Sequence, residues 1–145
     1  MKIKLLIVAI PFVLLSCSKG ETAATTPTTS TPTAAAEADI AFKIEIDAKE
    51  VDYNTVLAAL SATQKININI TSVLPKNGVT IEVSTIKNKD NSVVSSSTPP
   101  FSSAATNEAS ITSLSPGVLC TVTVKVISKS KESNTSTKTF QIAQK

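Results

Sequence analysis

The stretch that decides the fold is LSPGVLCTVTVKV, residues Leu114 to Val126. It opens with a Ser-Pro-Gly turn signal, after which apolar and polar residues alternate. Cys120, Val122, Val124 and Val126 share one side, and Thr121, Thr123 and Lys125 share the other. A period of two with β-branched residues is typical of a strand with one buried and one wet face. The stretch therefore predicts a half-buried β-strand.

The same alternation recurs along the chain after Asp39. It is found in FKIEID (42–47), KININIT (65–71), VTIEVS (79–84) and a last segment that includes Phe140 and Ile142. Asn77-Gly78, between the second and third of these runs, is a strong hairpin signal. Sheets with one wet face are typically antiparallel. With its turn signals, the segment predicts an all-β, antiparallel sandwich of about seven strands.

Residues 53 to 63 allow two interpretations. Val56, Leu57 and Leu60 have helix-like spacing, and Ala58 and Ala59 are helix formers, so a short helix is possible. Every neighbouring segment has the β pattern, which favours an extended strand or an irregular crossover.

The opening stretch is similar to the fibronectin type III motif Leu-x-Pro-Gly-x-x-Tyr-x-Val-x-Val. The matching positions are Leu114, Pro116, Gly117, Val122 and Val124, and Cys120 stands where that family usually has Tyr. The hydroxyl of the family's tyrosine corner is therefore absent. The resemblance implies a seven-stranded immunoglobulin-like sandwich over residues 39–145. It implies no function, because such sandwiches have many roles.

The N-terminus has the pattern of a secretory signal. A basic head with Lys2 and Lys4 precedes a mostly apolar run, residues 5–15. That run is shorter than the roughly 20 residues that a membrane-spanning helix needs. Leu14-Leu15-Ser16-Cys17 resembles the lipobox of bacterial lipoproteins. The resemblance implies a signal peptide over 1–16 and a lipid on Cys17. An ordinary signal peptide with a chance cysteine and a transmembrane anchor are the alternatives.

The residue after the cysteine bears on location. Ser18 is not the Asp that retains some lipoproteins in the inner membrane. The resemblance therefore implies a cell-envelope protein of the outer membrane, with the periplasmic and surface faces both open.

The segment after Cys17 is predicted to be a linker. Up to residue 38 it consists mainly of Thr, Ala, Pro and Ser without an apolar period. Such a stretch cannot bury enough surface to offset its ordering entropy, so residues 17–38 are predicted to be disordered. A spacer, with or without O-linked sugars, and a plain leader are both compatible with this composition.

The composition restricts the chemistry. The chain has no His and no Arg, which excludes Ser-His-Asp and Cys-His catalysis and bidentate phosphate clamps. Without Lys2 and Lys4 it carries 12 Lys against 11 acids, a net charge of +1, which is too small to attract nucleic acid. Cys120 alternates with valines and is predicted to be buried. We therefore expect no enzyme, no catalytic residue and no cofactor site.

Three acids lie close together in sequence, Asp47, Glu50 and Asp52. Carboxylates at a loop could hold Ca²⁺, but the spacing matches no EF-hand and no Gly makes the turn. A solvated loop is the preferred interpretation, and no metal site is predicted. Aromatic residues are scarce, and Tyr53 and Phe101 lie outside the regular strands. This scarcity argues against stacking on sugars.

These observations predict a membrane-anchored envelope lipoprotein that presents a non-catalytic β-sandwich. The first hypothesis is an interaction module that binds an envelope protein or polysaccharide. The alternatives are a structural spacer or assembly subunit and a carbohydrate-binding module. A long unprotected edge strand or an exposed apolar patch would favour the interaction module.

Overall fold

The computed structural model describes residues 36 to 145, which form β-strands and no helix. The strands are β1 (Phe42–Ile46), β2 (Lys49–Glu50), β3 (Val56–Ala59), β4 (Gln64–Ile70), β5 (Val79–Lys87), β6 (Val93–Ser97), β7 (Thr106–Ile111), β8 (Leu119–Ser128) and β9 (Thr135–Gln144). The predicted all-β class is confirmed. Within the described range no helix is long and apolar enough to cross a membrane.

The strands form two sheets with a common core. The order is β2-β1-β4-β7 in the four-stranded sheet and β3-β9-β8-β5-β6 in the five-stranded sheet. Buried side chains from both sheets form one hydrophobic cluster, which includes Phe42, Ile44, Ile66, Ile68, Ile81, Ile111, Val122, Val124, Phe140 and Ile142. Burying each such side chain contributes about 1.5–3 kcal/mol. The fold is therefore sandwich-like, and it is built on aliphatic residues.

The opening stretch forms β8, which lies inside the five-stranded sheet. Cys120, Val122, Val124 and Val126 are fully buried, as their alternation predicts. β8 is antiparallel to β5 on one side and to β9 on the other, and each pairing runs over most of its length. Its two long neighbours leave this strand no free edge, and its apolar side faces the core.

Residues 36 to 145 form nine strands, so the predicted number of about seven is not confirmed. One additional strand is β2, which pairs with the end of β1 after a tight turn. Asp47 and Ala48 form that turn with φ of 50° and 63°, the left-handed conformation that two-residue hairpin turns require. A strand of two residues has too little alternation to be recognised in a sequence.

The prediction of purely antiparallel pairing was also wrong at one place. β3 lies parallel to β9, with Val56 opposite Gln141 and Ala59 opposite Gln144. The chain crosses from the four-stranded sheet to the edge of the other sheet between β2 and β3, and β3 runs in the same direction as the last strand. The helix alternative for this segment was wrong, and the extended interpretation is confirmed.

The Asn77-Gly78 signal marks a turn but not a hairpin. The Gly78 N–H donates to the Pro75 carbonyl at 2.8 Å, and Gly78 has a φ of 74°. The strands on either side, β4 and β5, belong to different sheets. The turn therefore passes the chain from one sheet to the other, and the predicted pairing of these two strands was wrong.

Candidate functional site

The two cysteines of the chain are Cys17 and Cys120. Cys17, the predicted lipidation site, lies outside the described residues. Cys120 is fully buried, and burial raises the pKa of its thiol despite an opposing effect of Lys87. Its Sγ lies 3.8 Å from the Val118 carbonyl oxygen. A buried thiol with a raised pKa is a poor nucleophile, so Cys120 serves as a small core residue.

The acids Asp47, Glu50 and Asp52 have local structural roles. Asp47 lies in the β1–β2 turn, Glu50 pairs with the Lys43 ammonium at 2.8 Å, and the Asp52 carboxylate accepts the Asn54 N–H at 2.9 Å. Among residues 36 to 145 no three acidic or thiol side chains are grouped so that they could hold a metal ion. Asp47 and Asp52 thus lie in exposed loops, as the preferred interpretation has it, whereas the exposed Glu50 lies in β2.

The aromatic side chains do not form a sugar platform in the described part of the chain. Phe42 and Phe140 are buried, as expected for core residues. The Lys138 ammonium covers the Tyr53 ring, 4.7 Å from its centroid, and donates to the Tyr53 hydroxyl at 3.2 Å. Phe101 alone of these four is more than half exposed, at 54%. A single exposed ring gives little support to carbohydrate stacking.

Charged residues lie on most of the free strand edges. Among the described strands, none lies beside residues 135–140 of β9 on the side away from β8, because β3 pairs only with the last residues of β9. Lys138 lies on the core-facing side of that segment, and an inward lysine discourages another strand from adding there. At the edge of the other sheet, Glu108 of β7 pairs with Lys65 at 2.9 Å. Both edges are therefore protected by charge.

The edge of β6 carries no charged side chain, although its pairing with β5 has a register shift between Thr85 and Ile86. β6 is the outermost strand of the five-stranded sheet and pairs only with β5 among the described strands. Its sequence is VVSSS, without charge, and Val93 is 69% exposed. The opposite edge strand, β3, is also uncharged but has four residues and lies beside the Asp47 turn. The free edge of β6 is the candidate binding site of the domain.

A second exposed region lies where the described chain begins. A groove of about 540 Å³ is lined by Ala36, Ala38, Val73, Leu74 and Pro75, together with Glu37, Lys76, Asn77 and Ser130. Val73 is 78% exposed at this groove. We call this region, formed by residues 36–40, 71–78, 98–105 and 129–134, the linker end.

Within the linker end, Asn134 fastens the first described residues to the loop 129–134. Its Oδ1 accepts the Ile40 N–H at 3.0 Å, and its Nδ2 donates to the Glu37 carboxylate at 2.7 Å and to the Ala38 carbonyl at 2.8 Å. The nearby Ser128 hydroxyl has the largest effect in lowering the pKa of Glu37, and Asn134, Ser130 and Lys131 act in the same direction against desolvation. Asn134 is itself buried.

No protein-family model, no curated protein and no solved structure matches this chain. The functional argument therefore depends on the residues themselves.

Sequence reasoning missed two residues that shape these surfaces. The sequence contained an indication for Lys138, because this residue lies two positions before Phe140 and therefore on the apolar side of the same strand. The role of Asn134 had none, because its partner Ile40 is 94 residues away.

Proposed function

We propose that this chain is a bacterial envelope lipoprotein whose β domain binds an extended segment of another envelope protein at the free edge of β6. The domain is a non-catalytic module in this proposal. A lipid on Cys17 holds it at the outer membrane, and residues 18–35 lie between the lipid-bearing residue and the described domain.

The lipid anchor is supported by the sequence. The basic head, the short apolar run and Leu14-Leu15-Ser16-Cys17 occur in the order that lipoprotein processing requires. Two or three acyl chains hold a protein firmly on a membrane, because each buried CH₂ adds about 0.8 kcal/mol.

An immunoglobulin-like type is supported by strand order. β1, β4 and β7 are neighbours in one sheet, and β9, β8, β5 and β6 are neighbours in the other. Among the described strands the chain changes sheet at five of eight connections and stays in one sheet at β1–β2, β5–β6 and β8–β9, a mixture of crossings and hairpins that also occurs in Greek-key sandwiches. The fibronectin-like motif fits this order, since Leu114 is 3% exposed and Gly117 has a φ of 71° just before β8.

The observation that carries the binding proposal is the contrast between β6 and the charged edges. A free edge presents unpaired N–H and C=O groups that another strand can join, and proteins usually protect such edges with lysine or with covering segments. β9 and β7 have charged protection, and the five residues of β6 have none. Strand addition uses main-chain hydrogen bonds for affinity and side-chain pockets for specificity.

A photo-crosslinking experiment in intact cells tests this proposal. A benzoylphenylalanine at position 93 is expected to capture one envelope protein, to be identified by mass spectrometry. Ser96→Lys places a charge on the exposed side of β6 and is expected to abolish that product. Thr123→Lys adds the same charge to the outer side of the central strand β8 and should leave it unchanged. A product that survives Ser96→Lys would contradict binding at this edge.

A structural spacer is the second candidate, and the Asn134 contacts favour it. Three hydrogen bonds from one buried side chain tie residues 36–40 to the loop 129–134, at the point where force transmitted through the proposed linker would reach the domain. In that case, changing the length of residues 18–35 should alter the envelope phenotype, whereas Ser96→Lys should have no effect.

A further inference from the structure

We infer that the linker end of the domain lies on the surface of the same lipid bilayer that holds Cys17, with Val73 and Phe101 as its contacts. This inference depends on the proposed lipid anchor. It concerns a surface different from the edge of β6, and the two can be occupied at the same time.

Two of the most exposed large apolar side chains are at this end. Val73 is 78% exposed and Phe101 is 54% exposed. They belong to different loops that meet at Gly78, since Val79 and Ser102 exchange backbone hydrogen bonds at 2.8 and 3.0 Å and the Phe101 ring lies over the Gly78 Cα. The half-buried Leu74 follows Val73 in the chain, and we call Val73, Leu74 and Phe101 together the apolar tip.

The chain reaches the domain at this same end. Ala36 and Ala38 line the groove beside Val73, and Asn134 holds the neighbouring Ile40 in place. Residues 18 to 35 are the 18 residues between Cys17 and Ala36. As a coil they span roughly 25 Å, and at full extension roughly 60 Å. The lipid is thus tethered within reach of the apolar tip.

Because the lipid anchor already holds the chain at the membrane, a weak contact between the apolar tip and the bilayer is sufficient to keep the domain on the surface. A short flexible linker gives its two ends an effective concentration in the millimolar range. Two apolar side chains cannot recruit a free protein to a membrane, but they can keep a tethered domain against the surface. Exposed apolar residues on a loop tip enter the boundary between headgroups and acyl chains, as interfacial helices do.

The charge at this end does not oppose such a contact. Lys76, Lys129 and Lys131 are balanced by Glu37, Asp39 and Glu132. The contact should therefore be apolar in character, weakly dependent on salt and present on zwitterionic lipid.

Tryptophan fluorescence tests the inference, because the chain has no Trp of its own. The full lipidated protein is reconstituted in phosphatidylcholine vesicles, with and without lipids brominated near the top of the acyl chains. Val73→Trp introduces the probe at the tip, and Phe101→Trp does so from the second loop. Val93→Trp is the matched control. Val93 pairs with Ile86, seven residues along β5 from Val79 and therefore roughly 23 Å from the tip.

We expect the bromolipid to remove about half of the emission of Trp at position 73, since a tip buried about 5–10 Å reaches the acyl boundary. Trp at position 93 should keep its emission. If the chain floats with the vesicles while positions 73 and 101 are quenched no more than position 93, the inference is wrong and the anchor stands. If the chain does not float, and behaves like Cys17→Ser, the anchor itself is wrong.

Discussion

The side chain of Asn134 accepts the backbone N–H of Ile40 at 3.0 Å and so joins the last hairpin to the start of the domain. Asn134→Ala would leave this buried N–H without a partner and remove two donors from Glu37 and Ala38. A buried unsatisfied group costs about 1–3 kcal/mol, so we expect a loss of about 3 kcal/mol in the free energy of unfolding. Urea denaturation measures it.

Asn77→Ala is the matched control for this prediction. Asn77 is exposed and lies in a neighbouring loop, and its replacement should change stability by less than about 0.5 kcal/mol. Equal effects of the two substitutions would show that the Asn134 contacts do not stabilise the fold.

Replacing each of two glycines by alanine distinguishes the cost of a left-handed backbone from the cost of a steric clash. Gly78 and Gly117 have φ of 74° and 71°, but a Cβ at Gly78 would lie 2.3 Å from the Ser102 carbonyl oxygen, whereas at Gly117 nothing lies within 4 Å. We expect Gly117→Ala to cost about 1–2 kcal/mol from the left-handed backbone alone. Gly78→Ala should cost at least about 1–3 kcal/mol more, because a backbone atom must also move. If Gly78→Ala and Gly117→Ala had similar midpoints in chemical denaturation, the predicted steric clash at Gly78 would be wrong.

Thr85 offers a stabilising substitution. It is fully buried in β5, and its hydroxyl has no hydrogen-bond partner among the described residues. Thr85→Val replaces the hydroxyl with a methyl group of similar shape and should raise stability by about 1 kcal/mol, seen as a higher Tm. Thr123→Val, on the outer side of β8, should change it by less than about 0.5 kcal/mol. A lower Tm for Thr85→Val would indicate that the hydroxyl is satisfied.

Lys138 is expected to keep the free edge of β9 from joining other chains. Its ammonium covers Tyr53 and lies 5.7 Å from the Phe42 ring centroid. Lys138→Val removes the inward charge from that edge, so we expect faster aggregation at equal protein concentration, measured by light scattering. Lys125→Val makes the same exchange on the central strand β8 and should aggregate more slowly than Lys138→Val. The reverse order would be incompatible with edge protection by Lys138.

Glu37 predicts a dependence of stability on pH. The pKa of its carboxyl lies below the ordinary 4.5, chiefly because of the Ser128 hydroxyl, so folding favours the ionised form. This contribution is fully present above pH 4.5 and is lost as the pH falls through the lower folded-state pKa. Thermal unfolding between pH 7 and pH 3 should therefore show a smaller loss of Tm for Glu37→Gln than for the unchanged chain. If Tm fell equally with pH in Glu37→Gln and in the unchanged chain, the lowered pKa of Glu37 would be contradicted.

The sequence alone determined the class of the fold and much of its core. Cys120, Val122, Val124 and Val126 are buried because a period of two can hide only one side of a strand, and this is a local property. The same reasoning found the buried Phe42 and Phe140. It also identified the turn at Asn77-Gly78, because the left-handed backbone there requires glycine.

Only the tertiary structure decided which strands are neighbours. The sheet change between β4 and β5, the parallel pairing of β3 with β9 and the free edge of β6 depend on contacts between residues far apart in the chain. Alternation of apolar and polar residues predicts which side of a strand is buried, but it does not predict which strand lies beside it. The candidate binding edge, the apolar tip at Val73 and Phe101 and the Asn134 contacts all arise from that assembly, so no local pattern could reveal them.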